Sequence, residues 1–447
     1  MQLPYPAQSL PMGALKAALL RGLQTVSPAR QGRAAGRAWA LEPERWPAER
    51  WKQLGRQITA LHDAYTGGTQ EFSHDQNPIH THLEGYQFYF MPRNFYRVLY
   101  TLHELPWRPW AGAALLEPWL ETGPGQPALS VLDLGCGTGA FSLAVLAWLA
   151  RLGLDAAALP ALRLTLVDQG RALMGVAEAT LRAFAARALP GLALTVQTHA
   201  DGVARFLAAP GAGRYAIVGS ALMLNEMHLL TSGRSGRRAL RFTDPLKRLS
   251  RPGGLLLLVE AGTRKGYMNL VAVREQLLPA PVLYPCPHGE DCPLWDARAS
   301  RWCHSTRPLP RDFFFDDDLR RRAGLTFRMR DLNLAALAVQ AGGGDSVAPP
   351  FMSRNGVRVV SGLLRPRPEP RPKRRPEARP ERQPVVAGAA APVSVVLQCA
   401  PDGQLREVPD PGLGAYPRGV WMDVIPARVQ APASPRAPAR KPRGRKR

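Results

Sequence analysis

The run Val131-Leu132-Asp133-Leu134-Gly135-Cys136-Gly137-Thr138-Gly139 constrains this chain more than any other segment. It ends an apolar stretch, turns through three closely spaced glycines and opens into an Ala/Leu-rich segment at 140–149 with the composition of a helix. Glycines at these positions let the backbone bend tightly and come within contact of a ligand, where a Cβ would clash. The helix start behind them offers free N–H groups and the positive end of a dipole. Strand, glycine turn and helix in that order belong to a parallel α/β sheet. The flanking sequence agrees, because short apolar runs at 130–134, 163–167, 193–198, 215–220 and 254–260 alternate with helical stretches. All five strand ends should face one crevice.

Two kinds of ligand suit such a loop. Gly135, Gly137 and Ala140 fit the dinucleotide pattern, which is the reading of an NAD-linked redox protein. Two acids favour S-adenosylmethionine. Asp133 stands two residues before the first glycine, suited to orienting the loop and reaching the ligand's amino group through water. Asp168, the next acid at a strand end, lies 33 residues after Gly135, farther than the roughly 20 of a dinucleotide fold, and can accept both ribose hydroxyls. Asp201, after the third strand, is placed to accept from the adenine amino group. Alone, Asp168 and Asp201 read equally well as solvated strand-end acids. The expected donor pocket is therefore Asp133, Gly135, Gly137, Gly139, Asp168 and Asp201. A methyl acceptor would face 219–226, where no general base and no Asn-Pro-Pro-Tyr type motif stand. Asn225 and Glu226 there read more readily as caps of the following helix.

Of the 5 cysteines, Cys136 belongs to the glycine loop, where a small apolar residue suffices. Cys286, Cys292 and Cys303 lie in a Cys/Pro/His-rich loop at 284–307, and Cys399 lies far along the chain. With no secretory signal, thiols gathered in a polar loop point to a metal before a disulfide. Four thiolates suit zinc or an iron–sulfur cluster. Their gaps exceed the about two to four residues of zinc ribbons and leave room for a bulky cluster. A Cys3His zinc set using His288 or His304 is the competing arrangement, and Arg301 and Arg307 could offset the thiolate charge.

Charge and length complete the organisation. The net charge of +23 attracts polyanions, of which nucleic acid is the commonest. More than half of it sits in two Pro/Arg-rich stretches: 365–384 holds 8 basic and 3 acidic residues, and 426–447 holds 8 basic and no acidic ones. Both have too little apolar surface to repay ordering and read as disordered arms that contact phosphates, with solubilising tails as the plainer reading. No run of about 18 uncharged apolar residues exists, so no membrane span is expected. Residues 1–40 carry bases and no acid, as an organellar transit peptide would, but a basic helix at 12–24 is the preferred reading. The aromatic-rich segment 86–100 reads as core before a base-stacking platform. Six parts follow: an N-terminal helical region at 1–110, a Rossmann-like core at 111–280, a cysteine-rich loop and closing strands at 281–364, a basic linker at 365–392, a small β unit carrying Cys399 at 393–425, and a basic tail at 426–447. Runs at 325–339 and 356–364 are expected to complete the sheet.

In order along the chain stand Asp-Leu-Gly-Cys-Gly-Thr-Gly at 133–139, Leu-Asn-Glu at 224–226, Val-Glu-Ala-Gly-Thr at 259–263, Pro-Cys-Pro-His at 285–288, Cys-Pro-Leu at 292–294 and Trp-Cys-His at 302–304. Together they resemble the methyltransferase-like proteins of the mitochondrial small ribosomal subunit and their bacterial relatives. Ala261, Ser305 and the segment 416–423 depart from the usual pattern of that family. The resemblance implies a class I methyltransferase fold with a C-terminal metal-binding β extension, S-adenosylmethionine as ligand, and association with the small ribosomal subunit and its rRNA during assembly and translation. It also implies a [4Fe-4S] cluster on Cys286, Cys292, Cys303 and Cys399, with zinc as the alternative. The location implied is the cytoplasm in a bacterium and the mitochondrion in a eukaryote. An active RNA methyltransferase is the second reading, and whether transfer occurs stays open at this point.

Overall fold

The computed structural model describes residues 10–30, 45–66, 78–105, 116, 119, 128–209, 214–227, 235–286, 289–295, 302–309, 316–327, 331–342, 357–359, 395–399, 405–409 and 421–422. The expected basic linker and tail, His288 and Arg301 lie outside these residues.

The N-terminal region is helical, as its composition led one to expect. It comprises α1 (Met12–Arg30), α2 (Ala48–Thr66), a π-turn at Tyr86–Phe90 and α3 (Met91–Glu104). Phe88, Tyr89, Phe95 and Tyr96 of the aromatic segment are buried, while Tyr86, Phe90 and Tyr100 are half-buried.

Strands β1 (Leu129–Leu134), β2 (Leu162–Val167), β3 (Leu194–His199), β4 (Tyr215–Ala221) and β5 (Ser250–Ala261) pair in parallel. β1, β2, β4 and β5 are buried through their central runs, because helices cover both faces of the sheet there, while the edge strand β3 alternates half-buried and exposed residues. The connecting helices are α4 (Ala140–Ala150), α5 (Arg171–Ala188), α6 (Val203–Ala208) and α7 (Ser235–Leu249). Every residue of α4 from Ala140 to Leu149 is buried, since it lies between the sheet and α3, and this accounts for its lack of a polar face. After β5 come α8 (Arg264–Leu277), β6 (Val282–Tyr284), β7 (Ser305–Pro308), α9 (Asp316–Arg322) and β8 (Asp331–Gln340). The main sheet has eight strands in the order β3-β2-β1-β4-β5-β8-β6, with β7 beside β8. β8 runs antiparallel to β5, β6 and β7, so the sheet is mixed and the fold is α/β and Rossmann-like.

One expectation is corrected. The run at 325–339 enters this sheet as β8, but the described part of the run at 356–364, residues 357–359, does not. Its strand β9 (Val357–Val359) pairs with β10 (Val395–Cys399) and β12 (Trp421–Met422) in a second, four-stranded sheet that includes β11 (Leu405–Pro409). The outer edge of β8 is taken instead by β6 and β7, which flank the cysteine loop. Strands of three and four residues are too short to show a period, so sequence reading passed over them. Among the described residues no helix is long and apolar enough to cross a membrane.

Candidate functional site

The glycine loop crosses from β1 to α4 with all three glycines in the left-handed region, at φ 63° for Gly135, 50° for Gly137 and 88° for Gly139. The amide of Cys136 donates to the carbonyl of Val167 at 3.1 Å and so ties the loop to the end of β2. A Cβ on Gly135 would lie 2.7 Å from Met223 Cγ, and one on Gly139 would lie 3.0 Å from Ala177 Cβ. A Cβ on Gly137 would meet nothing within 4 Å, so this glycine borders open space at the crevice.

Asp168 is turned onto the loop. Its Oδ2 accepts from the Gly137 amide at 2.9 Å and its Oδ1 from the Gly170 amide at 2.8 Å. Each carboxylate oxygen has about two acceptor sites, so one on each remains for a ligand. Asp133 holds the segment behind the loop. Its Oδ2 accepts both the amide of Ser142, at 3.1 Å, and the Ser142 hydroxyl, at 2.7 Å. Ser142 sits in the first turn of α4, whose N-cap Gly139 offers no side chain, so Asp133 caps that helix from the neighbouring strand. Burial pushes its carboxyl up to about 7, against the two hydrogen bonds from Ser142 that favour the anion. Asp201 stands apart from these contacts, half-exposed and 3.6 Å from Arg205 in a solvent-facing ion pair.

The ends of β4 and β5 form the opposite wall. Leu222 has φ 64°, the sole non-glycine in the left-handed region among the described residues, and its amide donates to Val259 at 2.7 Å. Backbone held in that region is strained and tends to mark functional turns. Asn225 and Glu226 do not cap α7, as had been expected, because the segment Leu224–Glu226 coils into its own 3₁₀ turn well before Ser235. The Leu224 amide donates instead to Glu260 Oε1 at 2.8 Å. Glu260 is fully buried, and burial raises its carboxyl from an ordinary 4.5 to about 8. Asn94 links the N-terminal helices to this wall: it donates to Tyr86 Oη at 3.1 Å and accepts from Arg97 Nη1 at 2.6 Å, while Arg97 Nε donates to the carbonyl of Asn333. Five buried side-chain atoms here have no partner among the described residues: Asp133 Oδ1, Thr138 Oγ1, Ser220 Oγ, Asn225 Oδ1 and Glu260 Oε2. Buried polar atoms are usually paired, and these five lie along the glycine loop and the carboxyl ends of β1, β4 and β5, where a ligand's polar groups would meet them.

Sequence reading missed Ser142, Asn94, Arg97 and Glu260, and had Tyr86 only as one of the aromatics of 86–100. Only Glu260 left a signal, as a charge at the end of a strongly apolar run. Its raised pKa carries a testable sign. Between about pH 4.5 and about pH 8 the folded chain retains a proton here that the unfolded chain has released. The stabilising contribution is therefore complete below pH 4.5 and is lost as pH rises through 8. Glu260→Gln keeps the acceptor for Leu224 and removes the titration, so its thermal midpoint should decline less than the wild type's across that window. Parallel declines would show that Glu260 is ionised throughout.

The cysteine loop packs on α8. Cys286, Cys292 and Cys303 line one cavity of about 40 Å³ together with Tyr267, Arg274 and His304. None of these three cysteines is in a disulfide. Tyr267 Oη and Cys292 Sγ lie 3.2 Å apart, and burial raises both the phenol and the Cys292 thiol. Among the described residues no group of three or more metal-ligating side chains stands close enough to hold an ion. The backbone of Cys399 is described at the end of β10, but its side chain is outside the described set, as is His288. Arg307, expected to offset thiolate charge, pairs with Glu104 instead. The cation on the cavity wall is Arg274, 2% exposed, with Nη1 on Glu275 at 2.7 Å and Nη2 on the carbonyl of Glu290. It extends the face Tyr267, Leu270, Val271 of α8, a charge in an apolar helical stripe that could have been noticed.

A sequence model of the family described as mitochondrial small ribosomal subunit Rsm22 matches residues 228–313, which include Glu260, Cys286, Cys292 and Cys303. No curated protein matches the chain. Among solved structures, similar ones include a putative class I S-adenosylmethionine-dependent methyltransferase from Listeria monocytogenes, 15% identical over 75% of this chain and 83% of that one, with a TM-score of 0.34. The arsenic(III) S-adenosylmethionine methyltransferase from Chlamydomonas reinhardtii is 17% identical over 56% of this chain and 79% of that one, with a TM-score of 0.26. The O-methyltransferase TomG from Streptomyces achromogenes is 12% identical over 66% and 99%, also with a TM-score of 0.26. At such scores the fold stands on the strand order and register, not on these likenesses.

Proposed function

We propose that this chain is a methyltransferase-like protein that binds S-adenosylmethionine, associates with the small ribosomal subunit and its rRNA, and assists ribosome assembly and translation. The observation that carries the donor site is the carboxylate of Asp168 resting on Gly137 at the open face of the glycine loop, with one acceptor site on each oxygen left for a ribose. Gly135 and Gly139 shape the turn, Asp133 holds the helix start behind it, and Asp201 would receive the adenine amino group at the exposed edge. When bound, the ligand supplies an electrophilic methyl group. The chain's part is to orient it and to exclude water, and such positioning can supply a large share of the barrier reduction without a general base. The ribosomal half of the reading is supported by the family match at 228–313 and by the basic stretches at 365–384 and 426–447, which favour phosphates. Calorimetry with S-adenosylmethionine and with NAD tests the donor site, and tighter NAD binding would replace it with the redox reading.

The same proposal places a metal centre on Cys286, Cys292, Cys303 and Cys399, a [4Fe-4S] cluster with zinc as the alternative. Three thiols lining one cavity beside a buried arginine support an anionic occupant, because a thiolate cluster needs a compensating charge at low dielectric. Protein purified without oxygen should then contain iron that Cys303→Ser loses. Absence of both iron and zinc from the wild type would end this part of the reading.

An active RNA methyltransferase is the second reading, supported by the strained Leu222 beside Ser220 Oγ and Asn225 Oδ1, which have no partner among the described residues. Radiolabelled methyl transfer to small subunits from cells lacking the protein separates an enzyme from a protein that only binds the donor.

A further inference from the structure

The N-terminal wall of the crevice carries an aromatic series that runs from the core to the surface. Tyr65 on α2 is 42% exposed, one of two large apolar side chains so exposed among the described residues. His62 lies one turn earlier on the same face and stacks on Phe327, with centroids 3.9 Å apart and planes 11° from parallel. Phe327 meets Tyr89 edge-on at 5.6 Å, Tyr89 meets Phe90 at 5.0 Å, and Phe90 meets Tyr65 at 5.4 Å and Tyr86 at 6.0 Å. Only Tyr89 of these is buried; His62, Phe327, Phe90 and Tyr86 are half-buried. The series thus crosses the surface from Phe327 to Tyr86. Tyr86 in turn packs on the cluster of Ile79, Leu83, Leu173 and Val176, of which Leu173 flanks Gly170 beside Asp168.

The surroundings narrow the occupant. Arg320, Arg321 and Arg322 are exposed at the end of α9, which packs on α2, and Arg322 reaches over the Trp51 ring at 5.6 Å. Flat π faces edged by guanidinium groups fit unpaired bases and their phosphates, since every base has a face to stack and each phosphate can pair with arginine. A net charge of +23 favours a polyanion over an acid-poor protein face. In duplex RNA the bases are already stacked and offer no free face.

We infer that Tyr65, Phe90 and Tyr86 form a stacking platform for unpaired bases of single-stranded RNA, which leads the strand to the crevice beside Asp168. The inner end of this platform rests on the donor-site reading; the platform itself does not. Full-length wild type, Tyr65→Ala, Tyr65→Phe and Tyr65→Trp are titrated by fluorescence anisotropy with a labelled oligo(A) of about 12 nucleotides and with a duplex of equal length. Tyr65→Ala should weaken oligo(A) binding about tenfold, while Tyr65→Phe and Tyr65→Trp stay within about twofold of wild type and duplex binding does not move. The salt dependence of oligo(A) binding should be unchanged, since no phosphate contact is removed. Unchanged oligo(A) affinity in Tyr65→Ala, an equal loss in Tyr65→Phe, or an equal loss for the duplex each overturns the platform. So does a Tyr65→Ala variant that binds oligo(A) normally but no longer retains RNA-free small-subunit proteins, which would make the surface a protein-docking face. Calorimetry with S-adenosylmethionine on the same variants keeps the two readings apart: a wild type that binds no donor removes the donor site, yet leaves the Tyr65 comparison to decide the platform.

Discussion

Asp168→Ala should lower affinity for S-adenosylmethionine about 100-fold while leaving the fold intact. Two hydrogen bonds from ribose hydroxyls to a charged acceptor are together worth about 3 kcal/mol, and 1.4 kcal/mol is a factor of ten. The variant also frees the Gly137 amide, so the loop loses its tether to β2 at that point. The same replacement at Asp201 should cost less than about threefold, because its carboxylate is solvated and shared with Arg205. Calorimetry on both variants, with circular dichroism as the check on folding, measures the contrast. A fall at Asp168 no larger than at Asp201 would mean that Asp168 only shapes the loop.

The second large effect concerns stability. Gly219 lies at the centre of β4, where an added Cβ would come 2.0 Å from Phe141 Cζ and 2.7 Å from the carbonyl of Leu257. Phe141 is 1% exposed in the first turn of α4, and Leu257 is the paired residue of β5, so neither neighbour can withdraw. This glycine lets α4 close down on the sheet and sets the height of the loop that precedes it. Gly219→Val should cost about 3 kcal/mol or more, the upper range for overpacking a core. Denaturant or thermal unfolding reads it, and a loss below about 1 kcal/mol would show that α4 can shift outward. A companion Phe141→Leu replacement should recover part of the loss if the clash with the ring is the cause.

Much of the core was legible in the sequence. The five parallel strands appear within a few residues of the runs that announced them: β1, β4 and β5 because strands buried on both faces need apolar segments, and the edge strand β3 by its alternation of Leu194 and Val196 with polar residues. The glycine loop was legible for the same local reason. Other features were not. β6 and β7 are only three and four residues long, and what makes them strands is the edge that β8 offers them. Arg307 and Arg274 are both basic residues near cysteines in the sequence, yet one is taken by Glu104 and the other lines the thiol cavity. No spacing rule distinguishes them, because the choice is made by an acid 203 residues away.

Residue types alone determined where the chain must turn and where it must be buried: three glycines at positive φ can be read as a turn because only glycine adopts that backbone cheaply. The roles of the polar groups were decided by the tertiary structure. Asp133 became a helix cap, Glu260 a buried acceptor for the Leu224 turn, and Arg97 a link to β8. Each outcome depends on desolvation and on partners brought in from distant segments. Burial acts on a charge through everything that displaces water around it, and that surrounding shell is written nowhere near the residue it governs.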